Sequence, residues 1–567
     1  MKCIFLVLMT GCLSAGIAVA GPGEALKELP VQDGGRVKPF NTFARETLQL
    51  IYGKEKFRVP KQKEEDPVTY RGANEVVFTW LLVPEHWRNI PLIQVRNGGL
   101  KEALGLDAEQ VKEKTHFSPE ELMNNDRLAL LIQELNNKRK AQEKLDPYFQ
   151  AVQTLESQLT TFQAIRMGQG LRVLPPPPDQ ETTTWLSVSE LPEEAAQKFS
   201  EITQSFAENV GLEMNSQART EQKIEAFAKL KSAVSAFKEM ARQRNPQAYE
   251  DDLKIRMEVH LKDFHPFQWA WIFYLLATFL AAAALSNQKK IYRQFTWIML
   301  ILGLVFHTYG MALRVYIVGR PPVSNMYETI IWVPWVGVIF ALIFEKIRST
   351  NMLFLSAGLV GTLCLILSDL SPVVLDPSLQ PLQPVLRDNF WLIVHVLVIV
   401  TSYAAFFLAF ILGDLCLFYF LRGEEKFKKS IKDGVQGIYR AMQIGVVLLA
   451  LGIILGGVWA DYSWGRFWGW DPKETWALIA LLGYVAVLHA RLTGWVRDFG
   501  MSVVSVLAFS LVIMAWYGFY FVLGAGLHTY GFGAGGVEYV AGFVALHILY
   551  VVYVATVRQS RLKPENP

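Results

Sequence analysis

A short segment, residues 464–476, concentrates side chains suited to a large planar ligand. Its aromatic members are Trp464, Phe467, Trp468, Trp470 and Trp476. Such a run is typical either of an aromatic belt at a membrane interface or of a flat surface on which a planar molecule lies. Belts rarely contain so many tryptophans in so few residues, so the sequence favours the flat surface, and the natural candidate for the planar molecule is haem. We call this stretch the tryptophan-rich segment.

The tryptophan-rich segment also contains the start of a helix. Asp471 precedes Pro472 and is followed three residues later by Glu474, which is the pattern of a capping box with proline at the first helical position. We therefore expect a short ordered loop that leads into a helix. Asp471 is as well placed to hold that helix start as to contact a ligand.

Histidines in the apolar half of the chain are candidate ligands for a haem iron, which accepts two axial imidazole nitrogens. At 1.5 Å per residue, His395 lies only about 8 Å from the start of its predicted helix. His528 lies in the loop after a later helix, on the same side of the membrane. The sequence thus predicts that His395 and His528 hold one haem from opposite sides, at the level of the tryptophan-rich segment.

Three further histidines lie in the apolar half. His489 is about 21 Å along its helix, too deep to share a haem with His395; a structural role near Arg491 and a functional role are both open. His307 and His547 fall at intermediate depths. An ionisable group inside a membrane is a functional candidate by default, but packing roles are favoured for both.

Long apolar runs must position these side chains. The chain has 567 residues, of which 51% are hydrophobic and 19% charged, and the apolar residues are concentrated after residue 267. The sequence predicts an all-α polytopic membrane domain over 268–560 with about nine transmembrane helices, and a mostly α-helical soluble external domain over 21–267. The predicted spans are 268–286, 295–313, 330–345, 352–368, 390–421, 441–459, 475–490, 500–523 and 539–557.

Basic residues give these spans an orientation. Clusters of lysine and arginine follow the first, third, fifth, seventh and ninth spans, for example Lys289 with Lys290 and Arg558 with Arg561. All clusters fall on one side if the amino terminus is outside and the carboxyl terminus, with a tail over 561–567, is cytoplasmic. The tryptophan-rich segment then faces the external compartment.

The start of the chain agrees with this orientation. Residues 1–20 read as a secretory signal with an apolar core and the small-residue site Ala18-Val19-Ala20; an uncleaved anchor and a lipoprotein site at Cys12 are alternatives. The cysteines form no C-x-x-C pair, which argues against a thiol oxidoreductase. They are Cys3, Cys12, Cys364 and Cys416.

The external domain offers no evident catalytic constellation. Its stretch 34–44, Gly-Gly-Arg-Val-Lys-Pro-Phe-Asn-Thr-Phe-Ala, mixes turn residues with a helix start; packing within the domain and contact with a substrate or partner are both open. Its scattered histidines are predicted to be surface residues. They are His86, His116, His260 and His265.

The pattern W-G-x-x-W-x-W-D-P-K-E-T-W over 464–476 resembles the WWD motif of the haem-handling proteins of cytochrome c maturation. The resemblance is closest to the CcsA family of the System II (Ccs) pathway and extends over about residues 268–560. It includes the stretch P-x-S-N-M-Y-E at 322–328. A stretch similar to G-R-x-K-P-x-x-T-x-A at 35–44 occurs in some longer members of the family.

The resemblance implies a component of a cytochrome c synthase, with haem lyase-type thioether formation, in the bacterial inner membrane. It implies that haem b is bound non-covalently, clamped by His395 and His528, and presented to the C-x-x-C-H segment of apocytochrome c. The surface that carries the haem would be formed by Trp464, Trp468 and Trp470.

The resemblance also implies a partner. A histidine at the position of His489 serves an inner haem site in this family, together with a histidine of a CcsB-type (ResB-like) membrane protein. No CcsB region is recognisable in this chain, so either a separate CcsB-type protein supplies the second ligand or the arrangement differs here.

Two arginines lie near the P-x-S-N-M-Y-E stretch. Because a guanidinium is suited to carboxylates, Arg314 and Arg320 either pair with haem propionates or are solvated loop charges. Asn325 and Glu328 have the spacing of a second capping box.

Other functions remain as alternatives. A haem exporter or chaperone without synthase activity, resembling CcmC, shares the motif but has fewer spans and no large external domain. A membrane-bound b-type cytochrome in electron transfer needs stacked histidine pairs, which the spacing does not provide. A sensor needs an output domain, and only a short basic tail follows Val557.

Overall fold

The computed structural model describes residues 21–60, 69–143, 145–215, 217–287, 289–348, 350–370, 375–381, 390–523 and 536–562. These residues form two compact units, one up to Asp263 and one from Phe264 onward. The predicted signal segment 1–20, the predicted ligand His528 and residues 563–567 of the predicted tail lie outside the described residues.

The first unit is mostly helical, and it also contains three small antiparallel sheets that the sequence analysis did not predict. Their strand orders are β2-β1-β7-β8, β3-β4 and β5-β6. The strands have only two to four residues, too few to produce a period-2 pattern. They are β1 Pro30–Asp33, β2 Arg36–Pro39, β3 Lys56–Arg58, β4 Tyr70–Gly72, β5 Ile93–Gln94, β6 His116–Phe117, β7 Arg172–Leu174 and β8 Leu186–Ser187.

Twelve helices, by their described bounds, complete the first unit. Their apolar faces enclose a core of large side chains that includes Phe40, Phe78, Trp80, Phe162 and Phe237. The helices are α1 Pro22–Ala25, α2 Phe40–Tyr52, α3 Ala73–Leu82, α4 Pro84–Trp87, α5 Gly98–Ala103, α6 Ala108–Glu113, α7 Pro119–Met123, α8 Asp126–Lys140, α9 Pro147–Arg166, α10 Glu193–Met214, α11 Thr220–Arg244 and α12 Asp252–Phe264.

The stretch 34–44 contains the turn and second strand of the β1–β2 hairpin and the start of α2, all within the first unit. Gly34 and Gly35 have φ of 58° and 79°, the left-handed conformation that a two-residue loop of type I′ requires at both positions. Arg36 then donates two hydrogen bonds of 2.7 and 2.8 Å to the carboxylate of Glu258 on α12. Burial acts to lower the pKa of Lys38, but nearby carboxylates outweigh it and raise that pKa. The contacts observed for this stretch therefore join parts of one unit.

The second unit contains, among its described residues, nine helices long and apolar enough to cross a membrane. This confirms the predicted all-α polytopic fold and its number of spans. The helices are α13 Pro266–Asn287, α14 Lys290–Val318, α15 Met326–Arg348, α16 Met352–Leu370, α17 Phe390–Gly423, α18 Lys428–Trp464, α19 Pro472–Leu492, α20 Asp498–Ile513, which continues as a π-helix over Met514–Leu523, and α21 Val537–Leu562.

Several helices extend beyond the apolar runs that predicted them. Helix α18 begins at Lys428 rather than at 441, and α15 begins at Met326 rather than at 330. Hydropathy marks only the part of a helix that is apolar, whereas backbone hydrogen bonding continues through polar residues such as Asp433 and Arg440. The helix ends therefore lie farther out than the sequence indicated.

Helices α17 and α18 approach each other closely because glycines of α18 face α17. A Cβ at Gly445 would lie 2.5 Å from the ring of Phe406, and one at Gly452 would lie 3.1 Å from the Cα of Ile399. Neither distance leaves room for a side chain. Small residues at such positions are what allow membrane helices to pack backbone against backbone.

We expect the Arg36–Glu258 pair to contribute strongly to the stability of the first unit. Glu258 is 2% exposed, so Arg36→Ala leaves a buried carboxylate without its bidentate partner. The expected loss is about 3–5 kcal/mol in the free energy of unfolding, measured by urea titration of the full-length protein in detergent with proteolysis as the probe.

The control is Arg88→Ala. Arg88 pairs with Glu85 at 3.5 Å and with Glu120 at 3.1 Å, but its side chain is 42% exposed. An exposed pair is worth less than about 1 kcal/mol. If Arg36→Ala and Arg88→Ala lower the free energy of unfolding equally, the buried Arg36–Glu258 pair contributes no more to stability than an exposed pair does.

Candidate functional site

A cavity lies where α17 begins and α18 ends, among residues of α15, α17, α18, α19 and the π-helix. Aliphatic side chains of α17 form much of its wall. Its polar and aromatic lining residues include Arg320, His395, Tyr403, Trp459, Lys473 and Trp516. We call it the His395 cavity.

His395 is fixed against the backbone of α18. Its Nδ1 lies 2.6 Å from the carbonyl oxygen of Gly452, so Nδ1 carries the proton that is donated and Nε2 is the nitrogen with the lone pair. A Cβ at Gly456 would lie 2.6 Å from Cε1 of His395, 2.8 Å from Nδ1 and 3.1 Å from Nε2. The imidazole therefore covers Gly456, and only glycine leaves it room.

The tryptophan-rich segment begins at the end of α18, next to the cavity. Trp464, the last residue of that helix, packs on Trp459 with ring centroids 4.6 Å apart and an angle of 66° between the rings. Trp459 is 2% exposed and lines the cavity. Trp464 thus packs against Trp459, a residue of the cavity wall.

Trp468 and Trp470 lie farther along the segment. Their ring centroids are 5.8 Å apart and the rings are at 89° to each other, so the two indoles do not share one plane. Trp470 has φ of 57°, a left-handed conformation that costs energy for a residue with a side chain. Its side chain is 70% exposed. The segment therefore holds an exposed indole on a strained backbone.

Glu474 organises this loop from the helix that follows it. Its Oε2 accepts hydrogen bonds from the backbone N–H of Gly469 at 2.8 Å and of Asp471 at 3.2 Å, and its Oε1 pairs with Arg466 at 3.4 Å. Asp471 accepts from the N–H of Lys473 at 3.0 Å. The predicted capping box at the start of α19 is therefore present.

A buried carboxylate lies between the two arginines near the P-x-S-N-M-Y-E stretch. Glu328 pairs with Arg314 at 3.2 Å and with Arg320 at 2.8 Å. It also accepts hydrogen bonds from the backbone N–H and hydroxyl of Ser324. We call these four residues the Glu328 cluster. The arginines are therefore not solvated loop charges.

The expected second capping box forms only in part. Asn325 accepts a hydrogen bond of 2.8 Å from the N–H of Glu328. The Glu328 carboxylate, however, contacts Ser324 and the arginines. The desolvation cost of a buried carboxylate is offset more by two guanidinium groups than by a single backbone N–H donor.

The remaining membrane histidines lie elsewhere. His489 is exposed on α19, with Nδ1 2.8 Å from the carbonyl of Val485. His307 is fully buried, with Nδ1 3.2 Å from the hydroxyl of Tyr274. Neither lines the His395 cavity among the described residues.

His547 belongs to a separate contact between α17 and α21. Its Nε2 lies 3.3 Å from Asp414 and its Nδ1 lies 2.8 Å from the carbonyl of Phe543. It also packs against the ring of Phe410 at 4.9 Å. Both ring nitrogens therefore have partners, and the packing role that the sequence favours stays a prediction.

Sequence reasoning missed several residues of the cavity. Trp459 and Trp516 are far apart in the chain and belong to apolar runs that show no motif. The spacing of Gly452 and Gly456 is the Gly-x-x-x-Gly pattern of close helix contacts, and this signal could have identified the part of α18 that packs against His395. Lys473 lies within the tryptophan-rich segment, but no pattern in the sequence connects it with His395.

Comparisons with known proteins agree with the motif. The family described as cytochrome C assembly protein matches residues 323–528. A CcsA protein of Parasynechococcus marenigrum is 32% identical over 47% of this chain and 95% of its own length. A CcsA protein of Guillardia theta is 36% identical over 38% of this chain and 77% of its own length.

Two further similarities extend beyond the CcsA proteins. Protein NrfI of Wolinella succinogenes is 27% identical over 88% of this chain, and the chain spans about half of that protein's length, 53%. A solved structure of cytochrome c heme lyase CcmF aligns with a TM-score of 0.37 and 13% identity, over 53% of this chain and 51% of that one. A structural similarity at that level does not establish a shared fold or function.

We predict that the absence of a side chain at Gly469 allows Arg466 to pair with Glu474. A Cβ at Gly469 would coincide with the guanidinium of Arg466, so Gly469→Ala should displace that group. Losing about 1 kcal/mol of hydrogen bonding corresponds to a roughly fivefold rise in the open form. We expect trypsin to cleave after Arg466 faster by about that factor. Gly72→Ala is the control, since a Cβ there meets no atom within 4 Å; an unchanged cleavage rate in Gly469→Ala would contradict the assignment.

Proposed function

The chain belongs to the CcsA family of cytochrome c biogenesis proteins, and we propose that in this role it binds haem b in the His395 cavity and presents it to apocytochrome c. The observation that supports the proposal most is the state of His395. Its Nδ1 is committed to a backbone carbonyl, which is how proteins orient an imidazole whose Nε2 binds a metal. Haem is the substrate that this imidazole would hold.

The rest of the cavity fits the same molecule. The rings of Trp459, Tyr403 and Trp516 supply flat apolar surface. The guanidinium of Arg320 and the ammonium of Lys473 supply cationic groups for carboxylates such as haem propionates. An imidazole for the iron, apolar aromatic walls and cations for the propionates are together suited to haem b.

The tryptophan-rich segment is proposed to border the haem on its exposed side. Trp464 supports the wall formed by Trp459, and Trp468 with Trp470 offers two perpendicular indole faces. Asp471 holds the start of α19 through its capping hydrogen bonds. We infer that His528, in the sequence that follows the π-helix, supplies the second axial ligand.

The protein then contributes position rather than a nucleophile. The described cysteines, Cys364 and Cys416, are both buried in the membrane unit, whereas the C-x-x-C-H segment of apocytochrome c brings its own thiols. Bound haem supplies the vinyl groups to which those thiols add. His395 and the aromatic walls hold the reacting groups in register, which raises their effective concentration.

His489 is proposed to serve a partner. It is exposed on the face of α19, and its Nδ1 is committed to the carbonyl of Val485, so Nε2 is again the ligand nitrogen. An exposed imidazole at this depth fits an inner haem site completed by a histidine of a CcsB-type protein. The proposed location is the bacterial inner membrane, with residues 21–267 in the periplasm and the carboxyl terminus in the cytoplasm.

His395→Ala is expected to remove the haem signal and to abolish c-type cytochrome formation, because Nε2 of His395 is the proposed iron ligand. The measurement is the absorption spectrum of the purified protein, as isolated and after dithionite, together with the c-type cytochrome content of the cells. Added imidazole should restore part of both signals. His86→Ala, which alters an exposed histidine of the other unit, is the control; normal haem and cytochromes in His395→Ala would refute the ligand assignment.

Gly456→Ala is expected to weaken haem binding without removing the ligand. The added Cβ would lie 2.6 Å from Cε1 of His395, so the ring must move and its hydrogen bond to Gly452 must weaken. Loss of such a supporting contact typically lowers metal affinity about 10- to 100-fold. Hemin titration measures the change. Gly337→Ala, whose Cβ would meet Leu408 at 3.9 Å, is the control and should bind as the wild type does.

A further inference from the structure

One wall of the His395 cavity is positively charged, and the axial ligand does not account for this. Arg320 lines the cavity together with Ser324 and Asn325, which precede the first residue of α15, and Lys473 lines it from α19. The backbone at the start of a helix favours anions because its first N–H groups have no partner within the helix. A guanidinium, an ammonium and the start of a helix all favour the same kind of ligand group, an anion.

Arg320 is held firmly from one side. Its Nη1 donates to Glu328 at 2.8 Å and its Nη2 donates to the carbonyl of Gln380 at 2.9 Å; Nη1 also contacts the hydroxyl of Ser324. The side chain is 10% exposed. Its Nε is buried and has no hydrogen-bond partner among the described residues. The edge that contains Nε and Nη2 is the edge on which a guanidinium binds a carboxylate with two parallel hydrogen bonds.

The charges of the Glu328 cluster do not cancel. A single carboxylate lies between two buried guanidinium groups, so the cluster keeps one positive charge. Burial lowers the pKa of Arg320, and the Glu328 carboxylate only partly offsets this. A buried charge is costly unless an opposite charge pairs with it. Within the Glu328 cluster, the two guanidinium groups therefore share one carboxylate.

We propose that the Nε and Nη2 edge of Arg320 binds a propionate carboxylate of the haem, with Glu328 and the carbonyl of Gln380 holding the guanidinium in place. The inference rests on the proposed haem function and adds the orientation of the ligand. Propionates and vinyls lie at different edges of protohaem. Arg320 is thus a positioning residue: a propionate held there directs the vinyl-bearing edge away from the Glu328 cluster, toward the side from which thiols must approach.

The experiment is a two-by-two comparison of ligand and protein. Hemin and hemin dimethyl ester, which lacks both propionate charges, are titrated into haem-free wild type and Arg320→Gln, and the dissociation constants are read from the absorption spectra. We expect the wild type to bind hemin about tenfold or more tightly than the ester. Arg320→Gln should lose most of this preference for hemin and keep only the part that Lys473 supplies, and Arg320→Lys should lie between Arg320→Gln and the wild type because it keeps the charge but cannot form two parallel hydrogen bonds.

Controls separate the possible failures. Arg440→Gln removes an exposed arginine that bonds Gln443, and it should keep the wild-type preference for hemin. If the wild type binds hemin and ester equally, or if Arg320→Gln keeps the full preference, the propionate contact is overturned while haem binding stands. If the wild type binds neither ligand, the proposed function itself is overturned. The ester comparison on the wild type does not depend on how Arg320→Gln folds.

Discussion

The hydrogen bond between His395 and the carbonyl of Gly452 is the contact on which the site depends. It exists because α18 has glycine where α17 approaches, so the backbone carbonyl is within 2.6 Å of an imidazole on the neighbouring helix. The contact selects the tautomer and fixes the ring. A side chain at Gly452 or Gly456 would separate the two helices, and both the cavity and the orientation of His395 would change with that separation.

A second constraint is electrostatic. Glu328 is 1% exposed, and a carboxylate at that depth is stable only when cations and hydrogen-bond donors surround it. Arg314 and Arg320 therefore face inward and cannot serve as solvated loop charges. Arg320 also lines the cavity that contains His395, so the residue that stabilises the buried carboxylate is part of the candidate site. In the first unit, Arg36 forms a similar ion pair with the buried carboxylate of Glu258.

The tryptophan-rich segment is a loop ordered by hydrogen bonds, and its indole rings do not form a single flat surface. Glu474 binds two backbone N–H groups and Arg466, and this network fixes Trp470 in a left-handed conformation with its indole exposed. Strain of this kind persists only where surrounding contacts determine the backbone. The consequence is that the Trp470 ring is exposed and lies against Trp468.

By itself the sequence determined the nine membrane helices, because about 20 apolar residues are needed to cross a bilayer, and it determined the helix start at Asp471, because capping is a local interaction. It also placed His395 close to a helix end. It did not determine that Trp459 and Trp516 share a cavity with His395, nor that Arg320 pairs with Glu328. Helix α17 is apolar on all sides, so no polar face indicates which side meets α18. Only the packing of helices distant in sequence fixes that rotation, and the rotation decides which side chains meet.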